Sequence, residues 1–305
     1  MAIDLTPIRA LTLCEQTHAD RRRFLSAASG LLRIRDCFYV AADDELSLGV
    51  FPAMSDVPGE LFRLFPGDLP NHHAERKKRK PDLEAIAYVS PAHHPPFGAI
   101  LAVPSGSKPN RYLGALVPLD KTGELLPSPR TIDFGPLYAK LLLALPDLNI
   151  EGAVIDGTSL KLFQRGNALS GQNALIDVGL DNVMGALHAN RAISAQSLQR
   201  ISAVDLGILH GVALGFTDAS LYMKQLWFLA VAEKTASTYD DGDYCGATIG
   251  RINQDNSLTM FELNCPQKPE GLCFSEDPKR RDFFVVTDAD HALSPSILYR
   301  GSIAF

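Results

Sequence analysis

Five times along this chain a polar residue is followed by Gly or Ala and then by an apolar run. "SGLLRI" carries Ser29 and Gly30, "DLEAIAYVS" carries Glu84 and Ala85, and "LNIEGAVIDG" carries Glu151 and Gly152. "LHGVALGF" carries His210 and Gly211, and "PEGLCFSED" carries Glu270 and Gly271. These anchors recur about every 60 residues. The stretch from Glu270 to the C-terminus and on through the N-terminus to Ser29 makes about one more period of the same length. A chain that repeats itself and also closes on itself forms a ring of like units.

Each period holds short, β-branched runs bounded by Gly, Pro, Asn and Asp, as strands are. The first reads "ASGLLRI", "DCFYVAADDE", "LSLGVFPA" and "GELFRLFPG", and the later periods follow the same plan. A period of this length suits a four-stranded blade with long loops. The expectation is therefore an all-β chain, a single domain over residues 1–305 folded as a five-bladed β-propeller. A six-bladed propeller is the alternative. The last period lacks a fourth strand, and "IDLTPIRALTL" near the N-terminus is free to supply it and close the ring. "GPLYAKLLLALPDL" reads as a short helix between blades, with Leu137, Leu141 and Leu145 spaced by four and Pro136 in the first turn. "HANRAISAQSLQRIS" reads as a second, weaker helix.

A formal net charge of −6 argues against nucleic acid as a partner. The exception, "RKKRKP" from Arg76 to Pro81, reads as a solvated loop, with an anionic-ligand contact as the alternative. Five cysteines with no CxxC argue against a zinc ribbon and a disulfide framework. The N-terminus has no uninterrupted apolar core, so no standard signal peptide is expected, and no apolar run is long enough for a membrane span. A cytoplasmic protein is the simplest expectation.

In a propeller the first strand of each blade lines the axis. The five anchors would then bring Ser29, Glu84, Glu151, His210 and Glu270 together. Three carboxylates in a partly desolvated channel cannot all stay ionised without a cation. A hard divalent ion such as Ca²⁺, which takes six to eight oxygen ligands, is the expected filling. The alternative is a water-filled channel whose carboxyls hold protons. The Gly or Ala after each anchor lets the five inner strands crowd together.

An axial series of Ser, Glu, Glu, Ser, Glu resembles the calcium-activated nucleotidases, the soluble apyrases, and the "EG" strand openings are similar to the esterase-like phytase propellers. The whole chain, particularly "SGLLRIRDCFYVAADDELSLGVF" and "SGSKPNRYLG", also resembles an uncharacterised bacterial propeller family. The nucleotidase resemblance implies a central Ca²⁺ held by Ser29, Glu84, Glu151 and Glu270, with His210 in place of the second Ser. Imidazole is a poor Ca²⁺ ligand, so another divalent metal is the alternative.

The second strand of every blade ends in polar residues. These are Asp43, Asp44 and Glu45; Ser105 to Arg111; Arg165 to Asn167; Glu233 and Lys234; and Asp288 and Asp290. They should surround the mouth of one funnel. There Asp43 or Asp44 would orient or deprotonate a water. Ser105, Lys108, Asn110, Arg111, Arg165, Lys234 and Asp288 would bind an anionic small molecule. The implied function is a metal-dependent hydrolase of a phosphoester, phosphoanhydride or related ester. The alternative is a non-catalytic propeller with a structural axial metal, binding an anionic small molecule or a protein.

Overall fold

The computed structural model describes residues 2–16, 21–166, 171–234, 242–277, 279–289, 291 and 293–303. The N-terminal strands β1 (Ala2–Asp4) and β2 (Thr6–Ala10) precede five sheets. Blade 1 contains β3 (Ala28–Ile34), β4 (Cys37–Ala42), β5 (Ser47–Pro52) and β6 (Glu60–Arg63). Blade 2 contains β7 (Leu83–Val89), β8 (Ala99–Pro104), β9 (Leu113–Pro118) and β10 (Arg130–Asp133). Blade 3 contains β11 (Ile150–Asp156), β12 (Ser159–Gln164), β13 (Ala174–Gly179) and β14 (Leu198–Ala203). Blade 4 contains the short β15 (Ile208–Leu209), β16 (Val212–Tyr222), β17 (Gln225–Lys234), β18 (Asp243–Ile252) and β19 (Leu258–Asn264). Blade 5 contains β20 (Lys268–Phe274), β21 (Asp282–Asp288) and β22 (Ile297–Ser302). The inner strands β3, β7, β11, β16 and β20 pack in that order around a ring, and β20 returns to β3. The result is a five-bladed β-propeller, and the six-bladed alternative falls away.

Closure follows the expected route. Strand β2 pairs antiparallel with β22 and becomes the missing outer strand of blade 5. Strand β1, beyond the expected closure, pairs parallel with β19 on the edge of blade 4. One N-terminal segment thus straps two blades together and covers both outer edges, which would otherwise offer unpaired backbone groups.

Apolar side chains fill the spaces between neighbouring blades. Leu31, Phe38 and Phe284 pack between blades 1 and 5, together with Leu11 and Leu13 from the N-terminal segment. Trp227 and Phe283 pack between blades 4 and 5, and Phe163 and Phe216 between blades 3 and 4. Trp227 and Phe228 are core residues, as their strand context implies. Each such side chain contributes about 1.5–3 kcal/mol when buried.

Three α-helices connect these strands among the described residues. Helix α1 (His73–Arg79) joins blades 1 and 2, and α2 (Gly135–Leu141) joins blades 2 and 3. Helix α3 (Leu180–His188) lies between β13 and β14. Helix α2 is the expected one but ends at Leu141; Leu137 and Leu141 lie in it, Leu145 follows it, and all three are buried. The second expected helix is absent from its place. Residues Ala195–Ser197 form one 3-10 turn and Leu198 already begins β14, because blade 3 needs that segment as its fourth strand. The real helix, α3, directly precedes it and buries Leu180, Val183, Met184 and Leu187 at helical spacing. The run "RKKRKP" is also not a solvated loop: Arg76 lies in α1 and, with Lys80, is buried. No described helix is long and apolar enough to cross a membrane.

Candidate functional site

A β-bulge sits in the inner strand of every blade. Register slips at Ser29 and Gly30 in β3, Glu84 in β7, Glu151 in β11, Thr217 in β16 and Glu270 in β20. A bulge leaves one residue outside the ladder and re-aims its side chain. The polar residue of each repeat is that residue. Glycine follows because neighbouring inner strands touch: a Cβ on Gly152 would lie 2.9 Å from the Ala219 nitrogen, and one on Gly271 would lie 2.9 Å from the Leu31 Cβ.

The fourth position corrects the sequence reading. His210 lies in the turn between β15 and β16, with φ of 50°, and its side chain is 57% exposed. Its ring meets the Cys245 carbonyl and the Glu262 carboxylate rather than the axis. Thr217 holds the axial place, fully buried, and donates to the Pro269 carbonyl at 2.8 Å. The bulge series is therefore Ser, Glu, Glu, Thr, Glu. Where other blades have Gly or Ala next, blade 4 has Asp218. Its buried carboxylate accepts from the Ala219 and Leu272 amides, both at 2.7 Å.

The second strands end beside these bulges. Ala28 pairs with Ala42, Leu83 with Pro104, Ile150 with Gln164, Leu214 with Ala232 and Lys268 with Asp288. Asp43, Ser105, Arg165, Glu233 and Asp288 therefore share one end of the propeller. They form two charged networks.

The network at blades 1 and 2 centres on Asp82, a residue the sequence reading passed over. Its backbone is held at φ of 59°, a conformation rare for a non-glycine residue, and its side chain is buried. Asp82 accepts from Arg111 at 2.8 Å, from Lys80 at 2.8 Å and from Ser105. Lys80 also pairs with Asp43. Carboxylate oxygens of Asp43, Asp82 and Glu84 lie within 4.8 Å of one another. Glu84 makes no direct hydrogen bond or ion pair among the described residues. Burial, then Asp82, Glu151 and Asp43, push its pKa well above the ordinary value. Burial lifts Asp43 to about 6 even with Lys80 beside it. Against burial, Lys80 and Arg111 hold Asp82 below the usual carboxylate range.

Asp44 turns away, to Arg21 at 2.5 Å. Asn110 is exposed and donates to the Lys78 carbonyl at 3.1 Å, while Lys108 is half-buried at the head of the 3-10 turn Pro109–Arg111.

Arg165 organises the network at blades 3 to 5. It contacts Glu151 at 3.5 Å, Glu270 at 3.9 Å and Glu233 more closely. Asn149 donates to Glu151 at 2.6 Å, and Lys268 pairs with Glu270 at 3.1 Å. Burial still raises Glu151 to about 7 and Glu270 to about 8, with Arg165 and Lys268 pulling the other way. Protein cations thus meet two of the three axial glutamates. Lys268 escaped the sequence reading, although a signal existed. Asp82, Asn149 and Lys268 each stand two residues before a bulge glutamate in the sequence.

Beside this network lies a cavity of about 320 Å³ lined by Arg165, Glu233, Lys234 and glycines including Gly211 and Gly215. Asp44 takes no part in it, so the expectation that Asp44 and Arg165 share one pocket is not met. They stand at the same end of the propeller in separate networks. Asp288 closes β21, forms a bridge with Ala27 of the neighbouring blade and acts electrostatically on Lys268. Ser29 is buried. Asn167 and Asp290 lie outside the described residues.

Across both networks, Asp43, Asp44, Glu45, Asp82, Glu84, Glu151, Glu233 and Glu270 outnumber Arg21, Arg76, Lys80, Arg111, Arg165 and Lys268. This excess of acid calls for protons or an added cation.

A model of a family of unknown function matches residues 24–303. The chain belongs to this family, DUF6929. No match to a curated protein was found. Among solved structures, the fold of this chain is similar to that of Myxococcus xanthus glutaminyl cyclase, with 10% identity, TM-score 0.51, and 100% and 99% of the two chains covered. It is also similar to a GH43 β1,3-galactosidase with galactodeoxynojirimycin, with 8% identity, TM-score 0.52, and 96% and 94% covered. At such identities the likeness concerns the fold alone, and neither structure is a nucleotidase or a phytase.

Proposed function

We propose that this DUF6929 protein is a divalent-cation-dependent hydrolase of a phosphoester, phosphoanhydride or related ester, with its active site in the propeller funnel. The observation that carries this reading is the meeting of Asp43, Asp82 and Glu84 within 4.8 Å, where Glu84 makes no direct hydrogen bond or ion pair among the described residues. An all-oxygen set of carboxylates suits a hard cation, Ca²⁺ first among them. Asp43, Asp82 and Glu84 would hold it, and the ion would polarise the scissile group or activate water.

The chain's own groups supply the rest. Glu270, raised to about 8, holds a proton near neutrality and can deliver it to a leaving-group oxygen. Arg165 fixes the Glu151 and Glu270 carboxyls. Lys234, exposed on the cavity wall, receives the substrate's negative charge. Glutaminyl cyclase and a galactosidase share the fold and differ in chemistry, so the fold selects no substrate.

A second reading rests on a different observation. Arg165, Arg111 and Lys80 are already engaged by acids, so an anionic substrate must compete for them. That favours a binding scaffold with a structural cation. A screen of chromogenic phosphate and carboxylate esters, with Ca²⁺ or Mn²⁺ and with chelator, separates the two. The hydrolase shows chelator-sensitive turnover that Glu84→Gln lowers by about 100-fold. Cation binding without turnover on any ester would leave the scaffold.

A further inference from the structure

Two basic residues of the "RKKRK" run enter the funnel, and the other three do not. Arg76 and Lys80 are 3% and 8% exposed, whereas Lys78 and Arg79 are exposed and Lys77 is half-buried. The spacing of four puts both on one face of the α1 turn, and Pro81 ends the helix directly after them. Helix α1 is tied across the mouth between blades 1 and 2. Arg76 donates to the Asp44 carbonyl at 2.6 Å and to the Pro70 carbonyl at 3.0 Å, and Arg111 donates to the Lys77 carbonyl at 2.9 Å. This harness delivers the Lys80 ammonium to Asp43 and Asp82, beside Glu84.

We infer that Lys80, held by α1, is a tethered counter-cation that occupies the Asp43–Asp82–Glu84 cluster and competes with a divalent ion for it. This rests on reading that cluster as the cation site. One ammonium brings a single charge and three N–H donors to carboxylates that can carry three negative charges between them. A divalent ion brings twice the charge and uses more of the oxygens. Its binding releases Lys80 to water, where a flexible ammonium is well hydrated. The resident lysine therefore offsets part of the cluster's negative charge and sets a threshold concentration for metal.

The test uses the full-length protein and Ca²⁺ alone. Isothermal titration compares wild type with Lys80→Met, which keeps the stem and removes the charge. Reaction of the unmutated protein with an amine-acylating reagent, read by mass spectrometry, follows Lys80 with and without Ca²⁺. The expected result is affinity about tenfold tighter in Lys80→Met, with faster acylation of Lys80 in wild type when Ca²⁺ is added. Equal affinities, or Lys80 acylation unchanged at saturating Ca²⁺, would overturn the competition while leaving the cation site in place. Absence of Ca²⁺ binding in both proteins would overturn the cation site itself. If Lys80→Met does not fold, the wild-type acylation decides alone.

Discussion

In metal-free buffer the fold should lose stability as pH rises from 5.5 to 7.5, and Glu270 should cause much of the loss. Burial lifts Glu270 to about 8 and Glu151 to about 7. In the unfolded chain both titrate near ~4.3. Across this window the native state therefore holds protons that the unfolded chain has released, and stability falls with rising pH. The slope is about 1.4 kcal/mol per pH unit for each such group. Over the window Glu270 contributes a loss of about 2 kcal/mol, and Glu151 slightly less because it releases its proton earlier. His94 works in the opposite sense: burial lowers its pKa, so its contribution to stability grows as pH rises.

Glu270→Gln removes one titrating group and leaves His94 untouched. It should therefore flatten the pH dependence by about 2 kcal/mol over the window. Urea denaturation at pH 5.5, 6.5 and 7.5 measures this directly. Trp227, the single tryptophan and fully buried, reports unfolding by its fluorescence. A wild-type stability that is flat or rising across the window would refute the reasoning. So would a Glu270→Gln slope equal to that of wild type.

Further outcomes are expected for variants of both networks and of the blade 4 bulge. Arg165→Met should destabilise the protein by about 3–5 kcal/mol in urea at pH 7.5, because it removes the cation that three buried carboxyls share. Asp218→Ala should cost about 2–3 kcal/mol by leaving the buried amides of Ala219 and Leu272 unsatisfied. His210→Ala should change stability by less than about 0.5 kcal/mol and leave Ca²⁺ titrations unaltered, whereas Thr217→Val should cost about 1 kcal/mol through the lost bond to Pro269. If the ester screen finds a substrate, Asp43→Asn should lower kcat more than Asp44→Asn, since only Asp43 faces Asp82 and Glu84.

The ring was legible because repetition and closure are properties of the chain order. The N-terminal strand could be assigned by counting, since blade 5 lacked one partner. The glycines after Glu151 and Glu270 were legible because only close backbone approach explains them. His210 misled because "HGVALGF" reproduces the polar–Gly–apolar pattern at a hairpin turn, while the true bulge falls later in the same strand. There Asp218 takes the place of Gly, and the pattern no longer matches. The cations that meet the axial acids were hidden for another reason. Lys80 and Arg76 belong to a run whose composition is that of a solvated surface, and only the helical spacing of four sorts them inward. Asp82 was hidden by its left-handed backbone, a property that the sequence "PDLE" does not announce.

The most direct test of the funnel as a cation site is a crystal grown with Mn²⁺ and measured for anomalous scattering. The expected result is a peak bonded to Asp43, Asp82 and Glu84, with the Lys80 ammonium moved off Asp43 and Asp82, and with Glu151 and Glu270 still on Arg165. A crystal in which Lys80 keeps its ion pairs and no peak lies at these three carboxylates would contradict it. So would a peak held instead by Glu151 and Glu270.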